Sequence, residues 1–258
     1  MTAHTTSPAP ATEPKLPAGR WALFLDIDGT LLEHADHPEA VSVGPELRDL
    51  LLALELRLDG ALAFISGRSI GAIDLLFAPL QLRAAGLYGL EHRLRRDGPA
   101  EAADEPADIA ALAAEMEAEF AREPGVYIER KGPVLAIHTR AAPQALAAVT
   151  KAAETALPHL SAQYRVVAGN AGIELMPVEA VKSAAIRRFM ELEPFAGRRP
   201  VFIGDDTSDE SGFEKVNEMN GLSIRVRPTA PTAARHVLAD VAATRRWLRQ
   251  AFLAPFAA

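Results

Sequence analysis

Carboxylates stand in pairs directly after two strongly hydrophobic runs of the chain. Asp26 and Asp28 follow "WALFL" with one residue between them, and Asp205 and Asp206 follow "PVFIG". Crowded carboxylates repel one another unless a proton or a metal ion relieves them. An oxygen-only set of ligands suits Mg2+, which prefers oxygen to nitrogen or sulfur. The residue types therefore predict a metal-assisted acidic site.

The elements that must position these groups alternate between strand and helix. Short β-rich runs alternate with helical patterns from Trp21 to about residue 96, and the alternation resumes near residue 180. Such alternation predicts a parallel sheet covered by helices on both faces. In an open parallel sheet, ligands bind at the carboxyl ends of the strands. Ser66, which closes the run "ALAFIS", is expected to join the aspartates at that edge.

The middle of the chain follows a different rhythm. Residues 98–177 contain a helix and two short strands, and this order is then repeated. That pattern predicts an α+β module inserted between the two parts of the core, residues 18–97 and 178–258. Residues 1–17 are rich in Thr, Ala and Pro, and we expect a flexible tail there.

Composition narrows the classes of function. With 258 residues, 49% hydrophobic and 24% charged, the chain is expected to be globular. The absence of cysteine excludes disulfides and thiolate chemistry, and the net charge of -7 argues against binding to nucleic acid or anionic membranes. No apolar run approaches the roughly 18 residues of a membrane span, and no secretory signal is evident. We expect a cytoplasmic monomer with a small-molecule partner.

Four motifs resemble those of the haloacid dehalogenase (HAD) superfamily of phosphatases. They are "DIDGT" at 26–30, "SGR" at 66–68, Lys182, and "GDDTSDE" at 204–210. Four further segments are similar to signatures of the trehalose-6-phosphate phosphatases within that superfamily: "GLYGLEHR" at 86–93, "ERKGPVLAIHTR" at 129–140, "GIELMP" at 172–177 and "VFIGDDTSDESGFEKVN" at 201–217. The resemblance implies a HAD-like doubly wound core with an inserted αββαββ cap, and hydrolysis of trehalose 6-phosphate.

The resemblance also implies a mechanism. Asp26 would be the nucleophile and become an aspartyl phosphate. Asp28 would protonate the leaving oxygen and later deprotonate the attacking water, while its carbonyl ligates Mg2+. Asp26 and Asp205 would hold the Mg2+, with Asp206 or Asp209 assisting through water.

Phosphate would be bound by groups that also have ordinary structural explanations. Ser66 would bind a phosphoryl oxygen, yet a serine there also suits a helix N-cap. Arg68, next to Gly67, would contact phosphate or pair with a carboxylate. Lys182 would neutralise the phosphate, although a lysine at the start of a helix is usually a solvated side chain.

Sugar specificity would come from the inserted module. By resemblance, Glu129, Lys131 and Glu174 would hydrogen-bond the sugar distal to the phosphate, although exposed charge pairs on a sheet are the ordinary interpretation. Glu91 and His92 would line the entrance. A site built to match sugar hydroxyls discriminates strongly, because a wrong sugar leaves polar groups unpaired.

Three other functions stay open on the sequence. The chain could be another sugar phosphatase of the superfamily, acting on sucrose or mannosylglycerate phosphates, or a phosphosugar mutase. It could also be a non-catalytic sensor of sugar phosphates. The presence of both Asp26 and Asp28 argues against a sensor.

Overall fold

A computed structural model describes residues 14–34, 42–169, 172–228 and 231–254. The chain divides into two compact units. One is the inserted unit, Glu101–Ala180, and the other is the core, formed by the chain on either side of it.

Strands and helices are numbered in chain order. The strands are β1 Trp21–Leu25, β2 Leu62–Ile65, β3 Arg83–Gly86, β4 Glu91–Arg93, β5 Tyr127–Lys131, β6 Val134–His138, β7 Tyr164–Gly169, β8 Gly172–Pro177, β9 Arg199–Gly204, β10 Leu222–Val226 and β11 His236–Leu238. The helices are α1 Pro45–Arg57, α2 Ile70–Phe77, α3 Ala107–Glu119, α4 Leu146–Ala156, α5 Lys182–Met190, α6 Glu210–Glu218 and α7 Val241–Leu248.

The core sheet has the strand order β11-β10-β9-β1-β2-β3-β4, and β4 alone is antiparallel to its neighbour. All five residues of β1 are buried. A strand without an exposed residue is typical of a parallel sheet covered on both faces. From β1 the chain proceeds to β2 and β3 on one side, whereas β9, β10 and β11 lie on the other. The strand order therefore reverses at β1.

The inserted unit is built as helix-strand-strand twice, with its antiparallel sheet ordered β5-β6-β8-β7. Its hydrophobic core combines apolar side chains of α3 and α4 with alternate residues of β6 and β8, among them Leu135, Ile137, Ile173 and Leu175. Both helices therefore cover one face of this sheet. The predicted α/β core with an inserted α+β module is confirmed.

Two parts of the core differ from the sequence-based expectation. The three-residue strands β4 and β11 and the helix α7 did not stand out in the sequence pattern. Strands this short carry too little period to be recognised, and their neighbours in the sheet stabilise them.

The second difference concerns the predicted tail. Residues 1–13 lie outside the described residues, but residues 14–17 are not loose. The carbonyl oxygens of Pro14 and Pro17 accept hydrogen bonds from the indoles of Trp247 and Trp21, at 2.7 and 2.9 Å. Leu16 packs against the core. This part of the tail therefore contributes to the fold. Among the described residues, no helix combines the length and the hydrophobicity that crossing a membrane requires.

Candidate active site

Three adjacent strands of the core end at one edge of the sheet. β1 pairs with β2 on one side and β9 on the other. Asp26 follows β1, Ser66 follows β2, and Asp205 follows β9. Because the strand order reverses at β1, this edge is a topological switch point, where open α/β sheets bind their ligands.

A buried ion-pair triad forms the centre of the site. Lys182, at the start of α5, is 2% exposed. Its Nζ donates to Asp26 Oδ1 at 2.7 Å and to Asp209 Oδ1 at 2.6 Å. Lys182 is therefore not a solvated lysine. Its ammonium group links Asp26, the candidate nucleophile, to Asp209 in the loop after β9.

The triad contains two carboxyl groups and one ammonium group, so it is short of positive charge. Burial raises the pKa of Asp26 well above its usual range, Lys182 opposes this rise, and Asp209 and Asp205 add to it. Burial also raises the pKa of Asp209, against the effect of Lys182. Burial lowers the pKa of Lys182, but Asp209 and Asp26 together raise it by more. A further cation would lower the pKa of Asp26 and favour its ionised form.

The three aspartates of the loop after β9 make different contacts. Asp209 Oδ2 accepts from the backbone N–H groups of Asp205 and Asp206, both at 2.9 Å. Asp206 is exposed, and its Oδ1 accepts from the N–H of Thr207 at 2.6 Å. Both oxygens of Asp209 are thus engaged, while Asp205 projects its carboxylate toward the other acidic groups.

These contacts allow a test of whether the residues fit a metal ion. Ligand atoms of Asp26, Asp205 and Asp209, hereafter the aspartate cluster, lie within 4.8 Å of one another. An all-oxygen set of this kind suits Mg2+. Because Asp209 is held by Lys182 and two amides, Asp26 and Asp205 are the better direct ligands. The cluster fits the ion, and Asp206 is better explained as a cap of the loop.

Asp28 and Arg68 form a forked ion pair. Arg68 donates from Nε to Asp28 Oδ2 at 2.6 Å and from a terminal nitrogen to Oδ1 at 2.7 Å. Of the two alternatives for Arg68, pairing with a carboxylate is therefore observed. The pair links the "DIDGT" segment to the "SGR" segment.

Ser66 is buried and is not a helix N-cap. The cap of α2 is Ser69, whose hydroxyl accepts from the N–H of Ala72. Ser66 Oγ instead accepts from the N–H of Arg68 at 3.1 Å. Because a hydroxyl that accepts retains its own hydrogen, Ser66 can still donate to an anion.

The Ser66–Arg68 loop is braced by a strained turn at Leu87 and Tyr88. Leu87 and Tyr88 have φ values of 47° and 59°, in the left-handed region. Such residues cost about 1–3 kcal/mol each and persist where the surrounding structure enforces them. Here the Tyr88 N–H donates to the Ser66 carbonyl at 3.0 Å. A Cβ on Gly67 would lie 2.6 Å from the Tyr88 ring, so a side chain at that position would require Tyr88 to shift.

Glu91 and His92 have structural partners. Glu91 Oε2 accepts from the N–H of Ile70 at 2.6 Å, at the start of α2. His92 is buried, and its ring lies 6.5 Å from that of Phe189, between centroids. Both placements explain these residues without a substrate, and their location at an entrance stays a prediction.

A second polar cluster lies within the inserted unit. Lys131 Nζ donates to Glu174 Oε1 at 3.0 Å and lies 3.6 Å from Glu129 Oε2. His138 Nε2 lies 2.9 Å from the same Glu129 oxygen. These residues alternate with the apolar positions of β5, β6 and β8, so they occupy the sheet face opposite the helices. We call Glu129, Lys131 and Glu174 the inserted-unit cluster.

The pKa values of Lys131 and Glu129 both shift toward the ionised forms. Burial lowers the pKa of Lys131, but Glu174 and Glu129 raise it by more. Burial raises the pKa of Glu129, but His138 and Lys131 lower it by more. Lys131 and Glu129 therefore present an ionised donor and an ionised acceptor, which is the chemistry that recognises hydroxyl groups.

One residue at the core site was missed by sequence reasoning. His34 Nε2 lies 2.9 Å from Asp205 Oδ2, and this hydrogen bond raises the pKa of the imidazole above its usual value. His34 follows no strand and continues no periodic pattern. A separation of 171 residues from Asp205 left no sequence signal for the contact.

The chain matches the trehalose-phosphatase family over residues 24–244. A probable trehalose-phosphate phosphatase of Sinorhizobium fredii strain NGR234 is 43% identical over 213 residues, which cover 83% of this chain and 80% of that protein. Trehalose-6-phosphate phosphatase of Escherichia coli K12 is 38% identical over 242 residues, covering 93% and 89%.

Solved structures support the fold. The C-terminal domain of trehalose-6-phosphate phosphatase from Candida albicans superposes with a TM-score of 0.78 at 19% identity, covering 96% of this chain and 100% of that chain. A HAD phosphatase from Bacteroides thetaiotaomicron has a TM-score of 0.59 at 16% identity, covering 96% and 98%. The sheet edge described above therefore lies in a HAD fold, and with a family match that spans most of its length, the chain belongs to the trehalose-phosphatase family of phosphoric monoester hydrolases.

Proposed function

We propose that the protein hydrolyses trehalose 6-phosphate to trehalose and phosphate, with Mg2+ and an aspartyl-phosphate intermediate. The observation that carries this proposal is the buried Asp26 at the switch point, one oxygen of which binds Lys182 at 2.7 Å. Family membership and the names of the curated relatives support the substrate.

In the first step, a carboxylate oxygen of Asp26 attacks phosphorus, and the bond between phosphorus and the sugar oxygen breaks. No base is needed, because a carboxylate is already a nucleophile. Lys182 stabilises the negative charge shared by Asp26 and the phosphoryl group, and the Ser66 hydroxyl donates to a phosphoryl oxygen. Mg2+, when bound by Asp26, Asp205 and the Asp28 carbonyl, would supply charge neutralisation for a phosphate that the carboxylates would otherwise repel.

Asp28 carries the protons in both steps. It donates one to the leaving sugar oxygen, which releases trehalose, and it later accepts one from the water that attacks phosphorus and breaks the bond to Asp26. Both oxygens of Asp28 are engaged by Arg68 at 2.6 and 2.7 Å. Arg68 must therefore release Asp28 before this carboxyl can carry a proton. Once released, Arg68 is available to bind the phosphoryl group.

Sugar recognition is assigned to the inserted unit. The inserted-unit cluster offers an ammonium group and two carboxylates, with side chains of Lys131 and Glu174 each 16% exposed. Partly desolvated groups of this kind favour a ligand that satisfies their hydrogen bonds and reject one that does not.

The decisive test is a panel of phosphorylated sugars assayed for released phosphate, with and without Mg2+. The panel contains trehalose 6-phosphate, sucrose 6-phosphate, a mannosylglycerate phosphate and glucose 6-phosphate, and folded Asp26→Asn protein is the control. We expect Mg2+-dependent release, with the highest kcat/KM for trehalose 6-phosphate.

Each alternative function has its own result in this panel. A higher kcat/KM for another sugar would reassign the substrate. Transfer of phosphate between sugars without release would indicate a mutase. Binding without turnover would indicate a sensor.

A further inference from the structure

Among the described residues, Lys182 binds Asp26 and Asp209, and two loop amides bind Asp209, whereas Asp205 is contacted by His34. His34 Nε2 lies 2.9 Å from Asp205 Oδ2, and the two side chains are 41% and 14% exposed. Since a carboxylate oxygen accepts, the imidazole nitrogen donates. Asp205 Oδ2 therefore already accepts a hydrogen bond, which makes Oδ1 the better ligand atom.

Gly29 makes this contact possible. Its φ is +76°, and a Cβ there would lie 1.9 Å from Asp205 Oδ2 and 2.6 Å from His34 Nε2. The left-handed conformation suits glycine, and the missing side chain provides the space in which the imidazole meets the carboxylate. Asp205 Oδ2 is thus enclosed by the Gly29 backbone on one side and by His34 on the other.

A carboxylate with one occupied oxygen does not serve all cations equally. Mg2+ needs near-ideal octahedral geometry and is bound through one oxygen of each carboxylate, whereas Ca2+ takes six to eight oxygens and often binds both oxygens of one carboxylate. An imidazole N–H bound to Oδ2 takes one lone pair of that oxygen and competes with the second mode. Partners of this kind, behind a metal ligand, typically change metal affinity by about ten- to a hundredfold when removed.

We propose that His34 makes Asp205 a one-oxygen ligand and thereby biases the aspartate cluster toward Mg2+ and against Ca2+. This inference rests on the cation site of the proposed function. It assigns His34 a positioning role, because the imidazole acts through Asp205 and not on the substrate.

The test measures cation binding without substrate. Mn2+ binding is followed by electron paramagnetic resonance, and Mg2+ or Ca2+ is titrated as the competitor. The proteins are the wild type, His34→Ala and His34→Gln, in which the amide retains a donor. The matched control is Glu33→Gln, which removes a charge from the adjacent residue, whose described ion pair is with Arg227 and not with Asp205.

We expect the ratio of the Ca2+ and Mg2+ dissociation constants to fall about tenfold in His34→Ala, because Asp205 becomes able to bind Ca2+ through both oxygens. His34→Gln should restore most of the ratio. Glu33→Gln should change both affinities together and leave the ratio at its wild-type value.

Three results would overturn this proposal alone. The ratio in His34→Ala could equal that of the wild type, or His34→Gln could behave like His34→Ala, which would exclude the hydrogen bond as the cause. Tighter Mg2+ binding by His34→Ala would mean that the imidazole occupies the place of the cation. A wild type that binds none of the three cations would also contradict the magnesium site of the proposed function, whereas the first three results would leave that site intact.

Discussion

Replacing Lys182 with methionine tests the buried triad most directly. Methionine is similar in length and apolar, so the change removes the charge while leaving little cavity. Lys182 is 2% exposed, and its two bonds of 2.7 and 2.6 Å reach carboxylates of Asp26 and Asp209 that are also buried. Removing one partner of a buried ion pair costs about 3–5 kcal/mol, because a buried charge loses its compensation. Asp209 keeps two backbone donors, so we expect a loss near the lower end of that range.

The loss should depend on pH in a definite direction. Burial already raises the pKa of Asp26 and of Asp209, and Lys182 opposes both shifts. Without Lys182 both pKa values rise further. A group whose folded-state pKa is raised loses its stabilising contribution as pH rises through that value. The deficit of Lys182→Met should therefore be small near pH 4, where the unfolded carboxyls titrate, and should grow toward pH 8.

The assay is urea unfolding of the wild type and Lys182→Met in EDTA, at several pH values. Lys215→Met is the control, since Lys215 pairs with Glu218 near the surface of α6 and should lose at most about 1 kcal/mol. A deficit below about 1 kcal/mol, as for an exposed ion pair, that stays constant with pH as in the control would refute the buried triad.

The remaining predictions concern catalysis. Asp26→Asn should abolish phosphate release while circular dichroism stays unchanged, because the amide is nearly isosteric but a poor nucleophile; substantial activity in the folded variant would exclude the covalent mechanism. Chelation by EDTA should silence the enzyme and Mg2+ should restore it; full activity after dialysis against EDTA would remove the metal. Lys131→Ala should lower kcat/KM for trehalose 6-phosphate about ten- to a hundredfold and leave that for a small aryl phosphate unchanged, whereas Lys182→Ala should lower both. Equal losses for both substrates in Lys131→Ala would contradict its assignment to the sugar.

The sequence determined those features that a short segment encodes by itself. The hydrophobic run before Asp26 can be buried on both faces only in a covered sheet, and strands and helices in alternation favour parallel pairing. Asp26, Ser66 and Asp205 could therefore be predicted at one edge, since each ends its strand. The repeated helix-strand-strand order likewise indicated the inserted unit, because the spacing of hydrophobic residues changes from that of a helix to that of a strand within a few residues.

Other features depend on which distant residues come into contact, and the local sequence pattern does not indicate those contacts. Lys182 is 156 residues from Asp26 and 27 from Asp209. Its place at the start of a helix would suit a solvated lysine equally well, and only the packing of α5 beside β1 makes it a buried cation. The same holds for Ser66: its position after a strand allows a helix cap, but the N-cap of α2 is Ser69.

Tertiary structure also decided which contacts each carboxylate makes. The spacing of Asp205, Asp206 and Asp209 made all three candidate ligands, but amides and Lys182 occupy Asp209, and Asp206 caps its own loop. Arg68 holds Asp28 across 40 residues, and His34 holds Asp205 across 171. A residue type states which bonds a side chain can make. Which of these bonds is made depends on the neighbours that the completed sheet brings within hydrogen-bonding distance, about 3 Å.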